Sequence, residues 1–347
     1  MRARAKAVWQ APTLGAVPVA PGELGSHVAA TLGVPTEPMA ELVVLYLVAL
    51  DASLAEGLPR LLADQLEWQQ TRLRTLAPQL GPGQVVAAVR EELAAVLSLE
   101  ALGRLDRHVA DAWPFVGVET EEPPPELTGV ARTYLDRLLA GDRRGAVDVV
   151  TAAVAAGTGV TEMLLQVFQP VQIEVGRLWE QGRVSVAQEH FSTAVTQLAM
   201  SVLYPQLFAG AATAATGHTL VAVSAGVEAH EVGLRIVTDL LEAAGWRTTY
   251  LGSSVPVQDV VDQVADQRAA VVAVSGTMAG HVRHVRDLVE ALRADPRTSG
   301  VKVVVGGRAF QLSPELVEAV GADGWARDGA EVVAVCNRLM EVDRAVG

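Results

Sequence analysis

Gly226-Val227-Glu228-Ala229-His230-Glu231-Val232-Gly233 is the stretch on which the reading of this 347-residue chain turns. It follows Thr-Leu-Val-Ala-Val-Ser at 219–224, a short apolar run bounded by polar residues, and it leads into a segment whose apolar residues recur at helical spacing. A strand that passes into a helix through such a loop sets the loop at the carboxyl edge of a sheet, where α/β proteins bind their ligands. An imidazole at that edge projects outward. A carboxylate two residues away can hydrogen-bond one ring nitrogen and so fix the tautomer and basicity of the other for metal ligation.

Working outward, the alternation repeats. Apolar runs at 219–224, 248–251, 270–275 and 301–305 each precede an amphipathic helical stretch, and a fifth short run at 323–326 precedes the last helix. Five β-α units predict a Rossmann-like, five-stranded parallel α/β domain over residues 218–347. Upstream, helical spacing over 126–140, 142–156, 160–181 and 185–209, with short connections at Gly141-Asp142 and Gly182-Arg183, predicts a four-helix bundle cap over residues 126–212. Residues 119–125, Glu-Thr-Glu-Glu-Pro-Pro-Pro, have the composition of a stiff solvated linker. Helical spacing over 39–56, 59–77 and 84–113 predicts an N-terminal all-α domain at 36–118. Residues 1–35 interleave Pro12, Pro18, Pro21 and Pro35 with four glycines, which predicts an extended arm.

Composition narrows the function classes. A net charge of −13 argues against direct nucleic-acid binding, which needs a basic face. A single cysteine, Cys336, permits no intrachain disulfide and reads as a small core residue of the last helix. The longest apolar run, at 42–50, is nine residues, too short to cross a bilayer, so the expectation is a cytoplasmic protein with no membrane partner. A dinucleotide site is excluded. The first turn lacks Gly-x-Gly-x-x-Gly, and the second strand runs into Tyr250-Leu-Gly-Ser-Ser-Val-Pro256 with no acidic residue.

Two more landmarks fall at the edge occupied by His230. Ser275-Gly276-Thr277 ends the third strand, with 41 residues between Gly233 and Ser275, and Gly306-Gly307 ends the fourth, with 28 residues between Thr277 and Gly306. The set resembles the cobalamin-binding domain, whose pattern is an acidic residue-x-His-x-x-Gly, then Ser-x-Leu or Ser-x-Thr, then Gly-Gly. The resemblance implies His230 as the lower axial ligand to cobalt, with Glu228 behind it. It implies Ser275 and Thr277 lining the channel for the displaced nucleotide tail, and Gly306 and Gly307 letting that tail approach the backbone. The commonest version has Asp where Glu228 stands.

In the bundle, Trp179 is followed after nine residues by Glu189-His190. Trp-x9-Glu-His is similar to the signature of the adenosylcobalamin photoreceptors, first known as light-sensitive carotenoid-gene repressors. That resemblance implies Trp179 and Glu189 around the adenosyl group and His190 as the upper cobalt ligand after light. It also implies a non-enzymatic sensor whose homo-oligomeric assembly responds to light and which signals to an effector protein. Those repressors carry a basic winged helix, whereas residues 1–125 here hold nine Lys and Arg against fifteen Asp and Glu. The domain arrangement instead resembles the photocobilins, which implies biliverdin as a second, non-covalent chromophore. Arg104, Arg107 and His108, at i, i+3 and i+4 with Trp113 beyond, are the candidate face for its propionates. The alternatives are a corrinoid methyl carrier of a methyltransferase system and, for the first domain, a partner-docking module. His281 and His284, beside Arg283 and Arg286, read as a solvated basic face.

Overall fold

The computed structural model describes residues 10–11, 15–16, 20–117, 126–208 and 215–346, so the expected linker at 119–125 lies outside the described residues. The chain divides into two compact units, Met1–Thr120 with Met278–Gly280, and Glu121–Thr277 with His281–Gly347.

The first unit is built from α1 (Pro21–Leu32), α2 (Thr36–Glu56), α3 (Pro59–Leu76), α4 (Pro82–Ala94) and α5 (Leu99–Ala112). Its core gathers Val28, Met39, Val43, Tyr46, Leu47, Leu62, Leu66, Leu93 and Leu105. The expectation of an extended arm over residues 1–35 fails at α1. Pro21 stands in the first turn, where its missing N–H costs nothing. Gly25 lets α1 approach α2, since a Cβ there would lie 2.6 Å from Ala40 Cα. Gly33, at φ +66°, ends the helix as its left-handed cap. The breakers are thus a start, a contact and a stop. The helix expected over 84–113 is two helices: α4 ends near Ala95, and Ser98 starts α5 by accepting the Ala101 amide on its Oγ at 3.1 Å.

By length and composition α2 is apolar enough to cross a membrane, with a mean hydropathy of 1.7, and so departs from the expectation based on the nine-residue run. Half of that window is buried inside the protein, and the helix carries buried Asp51 and Ser53. These are the marks of a central core helix.

The second unit opens with the bundle: α6 (Gly129–Leu139), α7 (Arg143–Ala155), α8 (Val160–Met163), a π turn at Leu164–Phe168, α9 (Gln169–Glu180) and α10 (Val186–Leu203). Tyr134, Phe168, Val171 and Met200 fill its centre, and the same cluster takes in Val232, Ile236 and Leu240 of α11 (Glu231–Ala243). Bundle and sheet domain therefore share one apolar joint, in which each fully buried side chain is worth about 1.5–3 kcal/mol.

The sheet contains β1 (Thr219–Ser224), β2 (Arg247–Tyr250), β3 (Val271–Ser275), β4 (Lys302–Gly306) and β5 (Gly324–Trp325), all parallel, in the order β2-β1-β3-β4-β5. Besides α11, the helices α12 (Val257–Gln267), α13 (Val282–Ala294), α14 (Arg308–Leu312), α15 (Leu316–Ala319) and α16 (Gly329–Val346) cover it. All six residues of β1 are buried, as a strand covered on both faces requires. This is the Rossmann-like parallel fold expected for residues 218–347, preceded by helical domains. Cys336 is buried in α16, its thiol pushed up to about 12 by burial. In this strand order the crossovers from β1 run to opposite sides, and the carboxyl ends of β1 and β3 are where parallel α/β sheets of this topology bind their ligands.

Candidate functional site

Glu228 organises the β1/β3 edge. The chain leaves β1 through a turn in which the Ala225 amide donates to Ser275 O at 2.9 Å and Gly226 takes φ +60°. That turn drives the Glu228 side chain under the sheet edge, where it is wholly buried. Both carboxylate oxygens are occupied. Oε1 accepts from the His230 amide at 3.0 Å and from His230 Nδ1. Oε2 accepts from the Thr277 amide at 2.8 Å and from His281 Nδ1 at 2.7 Å. Burial alone would raise the Glu228 pKa; the hydrogen bonds and charges of the two imidazoles outweigh it and hold the carboxyl well below the usual range. The hydrogen bond to Glu228 in turn raises the His230 pKa against the opposing effect of burial, with smaller contributions from the charges of Glu228, Glu189 and Glu180.

His230 caps the start of α11 with 59% of its side chain exposed. Its Nδ1–H is spent on Glu228, so in the neutral ring the lone pair lies on Nε2, on the open side. His281 is only 15% exposed. The solvated basic face expected for it is therefore incorrect: the 3₁₀ turn Ala279–His281 brings the ring back under the edge, onto Glu228. Sequence reasoning missed this residue because it stands 51 positions from His230; the available signal was its place just past Ser275-Gly276-Thr277 on the same edge.

The remaining landmarks meet there too. The Gly276 amide donates to Gly306 O at 2.9 Å, and a Cβ on Gly307, at φ +98°, would lie 2.5 Å from Gly276 O. Gly306 has the Ala326 carbonyl 3.2 Å from where its Cβ would be. Ser275 stands beside Ser224 in the β1–β3 register, and the Ser224 hydroxyl is buried without a hydrogen-bond partner among the described residues. Gly233 is exposed in the first turn of α11, with open space where a side chain would stand.

In the bundle, Trp179 is half-buried near the end of α9. Gly182, at φ +68°, turns the chain, and Ser185 starts α10 through a capping box with Gln188. Glu189 is braced from both sides, by His190 Nδ1 and by Thr193 Oγ1 at 2.9 Å. The His190 ring is 75% exposed. Both α9 and α10 pack against α11, whose start carries His230.

The candidate face on α5 is not assembled as expected. Arg104 and Arg107 are exposed, but His108 is buried on the Leu102, Leu105, Ala112 side and bonded through Nε2 to Ser53 Oγ at 2.7 Å. Because Ser53 spends its proton on Leu58 O at 2.6 Å, His108 must be the donor, with its proton on Nε2. Trp113 is 41% exposed in the 3₁₀ turn that follows.

Comparison with known proteins bears on the fold and on the two halves of the second unit. Residues 218–334 match the family model described as the B12 binding domain, and residues 130–204 match a second B12 binding domain model. The chain is 29% identical over 205 residues to dimethylamine corrinoid protein 2 of Methanosarcina mazei, which covers 56% of this chain and 90% of that protein. It is 27% identical over 201 residues to monomethylamine corrinoid protein 1 of Methanosarcina acetivorans, covering 57% and 91%. The solved monomethylamine corrinoid protein of Methanosarcina barkeri shares the fold, with a TM-score of 0.53 and 24% identity over 60% of this chain and 98% of that one. A cap bundle and a parallel sheet are each matched by a B12 binding domain model, over residues 130–204 and 218–334, and the two meet at α11, whose start carries His230.

Proposed function

We propose that residues 126–347 hold a cobalamin with its lower base displaced and carry a cobalt-bound methyl group between partner proteins, without turning over a substrate themselves. The observation that supports this reading best is His230: a single exposed imidazole whose Nδ1 is tied to a buried carboxylate and whose Nε2 is open. A cobalt held in a macrocycle would need a single imidazole nitrogen from the protein, and His230 would supply it. The edge fits the rest of such a group. Gly307 and Gly306 let backbone approach backbone without a side chain between them, the unpartnered Ser224 hydroxyl is a spare polar group beside Ser275, and the open space at Gly233 leaves room above the first turn of α11.

When bound, cobalamin supplies a cobalt centre that can accept and release an alkyl group. The chain's own part would be to orient the His230 ring and keep its proton on Nδ1 through the buried Glu228 carboxylate. The similarity to methylamine corrinoid proteins supports the carrier reading and points to a methyltransferase as the class of partner.

One observation favours a light sensor instead. Trp179 and the braced Glu189 stand on α9 and α10, which pack against α11, with the exposed ring of His190 beside Glu189. In that reading adenosylcobalamin is the form bound, and light changes assembly. A non-covalent biliverdin site would rest on Arg104, Arg107 and Trp113 without His108.

One preparation tests these readings. Loaded with cobalamin, the parent should show the spectrum of an imidazole-ligated cobalt, and His230→Ala should lose it and retain the cofactor about tenfold or more weakly. Identical spectra and retention would refute the site. Green light on the adenosylcobalamin-loaded chain then separates the two functions. A lasting spectral and assembly change that is lost in His190→Ala selects the sensor, and no such change leaves the carrier.

A further inference from the structure

Asp239 is a buried carboxylate left without a partner. It stands on α11 nine residues past His230, roughly 14 Å farther along the helix. The residue is only 8% exposed, and its carboxylate makes no hydrogen bond or ion pair among the described residues. We propose that Asp239 and Glu242 form a binding site for an organic cation, an alkylammonium carried by a free amine or by a lysine side chain. The site is the cleft that α11 makes with the end of α10, the 3₁₀ turn Tyr204–Phe208 and β2. It shares no residue with the edge that carries His230, so the proposal stands apart from the cobalamin reading.

The cleft encloses about 370 Å³, a volume in the range of small-molecule sites. Its carboxylates are not equivalent. Glu242 is braced, because the Tyr204 hydroxyl hydrogen-bonds to it and Thr248 Oγ1 donates to its Oε2 at 3.5 Å. Asp239, one turn earlier and lining the same cleft, has no such support. Arg235, the cation that lines the cleft with them, is engaged elsewhere: its Nη2 donates to Ser201 Oγ at 2.8 Å. Shutting an unpaired carboxylate away from water costs stability, and a cation that enters the cleft and bonds Asp239 recovers that cost. An anionic or apolar ligand would deepen it.

The walls select the kind of cation. Tyr204 and Tyr250 line the cleft, and burial pushes both phenols up to about 12, reinforced by Glu242 for the first and by the charge of Glu231 for the second. Both rings therefore stay neutral at physiological pH. Aromatic rings beside two carboxylates suit a charged head on an apolar stem, which can meet the carboxylates with its N–H groups and the rings with its methylenes. A metal ion is a poorer fit, since no group of three His, Cys, Asp or Glu that could hold one occurs among the described residues.

The test is isothermal titration calorimetry on the full chain at pH 7.5 with two probes, n-butylammonium chloride and Nα-acetyl-lysine amide, against sodium chloride at equal concentration. Both organic cations should bind at one site and displace each other, and sodium should not. Asp239→Asn keeps the shape and removes the charge, and should weaken both by about tenfold or more. Arg235→Gln removes the like charge beside the carboxylates and should tighten both by about twofold, a gain that damage to the fold cannot produce. Tighter binding of the lysine amide assigns the cation to a partner protein's side chain, and tighter binding of butylammonium assigns it to a free amine; either result supports the site. Failure of both probes to bind the parent, or equal affinity in a folded Asp239→Asn, would overturn the proposal. Weaker binding in Arg235→Gln would overturn it too, because the ligand would then depend on the cation rather than on the carboxylates.

Discussion

Gly307 shows how one residue without a side chain shapes the site. Its φ of +98° is open to glycine and costly to any other residue, and the carbonyl of Gly276 occupies the space a Cβ would need. Two strand ends, β3 and β4, are brought into backbone contact there by the Gly276 amide and Gly306 carbonyl. Replacing Gly307 by Ala should cost about 1–3 kcal/mol from the backbone conformation alone, with more from displacing Gly276. It should also weaken retention of cobalamin, because Gly276 lies between Ser275 and Thr277, whose amide holds Glu228. Thermal unfolding together with cofactor retention after desalting checks both parts; a variant as stable and as retentive as the parent would show that the contact with Gly276 tolerates a Cβ. This glycine pair was legible in the sequence because its conformational demand is local. His281 was not, since its role comes from a fold-level meeting with Glu228 rather than from any neighbour in the chain.

At the scale of elements, α11 does two things: its N-cap residue is the cobalt-ligand candidate, and its apolar face joins bundle to sheet through Val232, Ile236 and Leu240. One group runs against that second task. Asp239 is buried at 8% exposure, and burial pushes its carboxyl up to about 6, opposed by Arg235 and reinforced by Glu242. The sign follows from linkage. Below about pH 4 both folded and unfolded chains bind the proton; as pH rises toward 6 the unfolded chain releases it first, and folding loses stability across that window. Asp239→Asn should therefore match the parent near pH 3.5 and exceed it by about 1–3 kcal/mol at pH 7.5, by urea unfolding of the second unit. A less stable variant at pH 7.5 would mean that the charged carboxylate is held by a favourable partner. The sheet elements were readable because strands covered on both faces appear as short continuous apolar runs. Two helical features were not. Pro21, Gly25 and Gly33 serve as start, contact and stop for α1, which composition alone cannot distinguish from a broken arm. The stop between α4 and α5 lies in Val96-Leu97-Ser98, where the apolar period runs on and only the Ser98 cap marks the break.

Across the whole molecule, the two units divide the chemistry unequally. Glu228, His230, His281, Ser275, Thr277, the glycine pair, Trp179, Glu189 and His190 all belong to the second unit, which has its own apolar clusters in the bundle and under the sheet. The first unit has a separate core and a polar interior of Ser53, His108, Gln65 and Gln69. A fragment of residues 126–347 should therefore fold and take up cobalamin with the spectrum of the full chain and an affinity within about threefold, since none of the groups proposed to touch the cofactor is removed. Biliverdin added to both proteins separates the roles of the first unit. A sharpened red band that survives desalting with the full chain and is absent with the fragment assigns the pigment to the first unit, with Arg104 and Arg107 the cations to replace next. Equal washing-out from both leaves the first unit as a module for protein partners. Loss of cobalamin from the fragment, while it remains folded by circular dichroism, would contradict the division and place part of the cofactor's hold on the first unit.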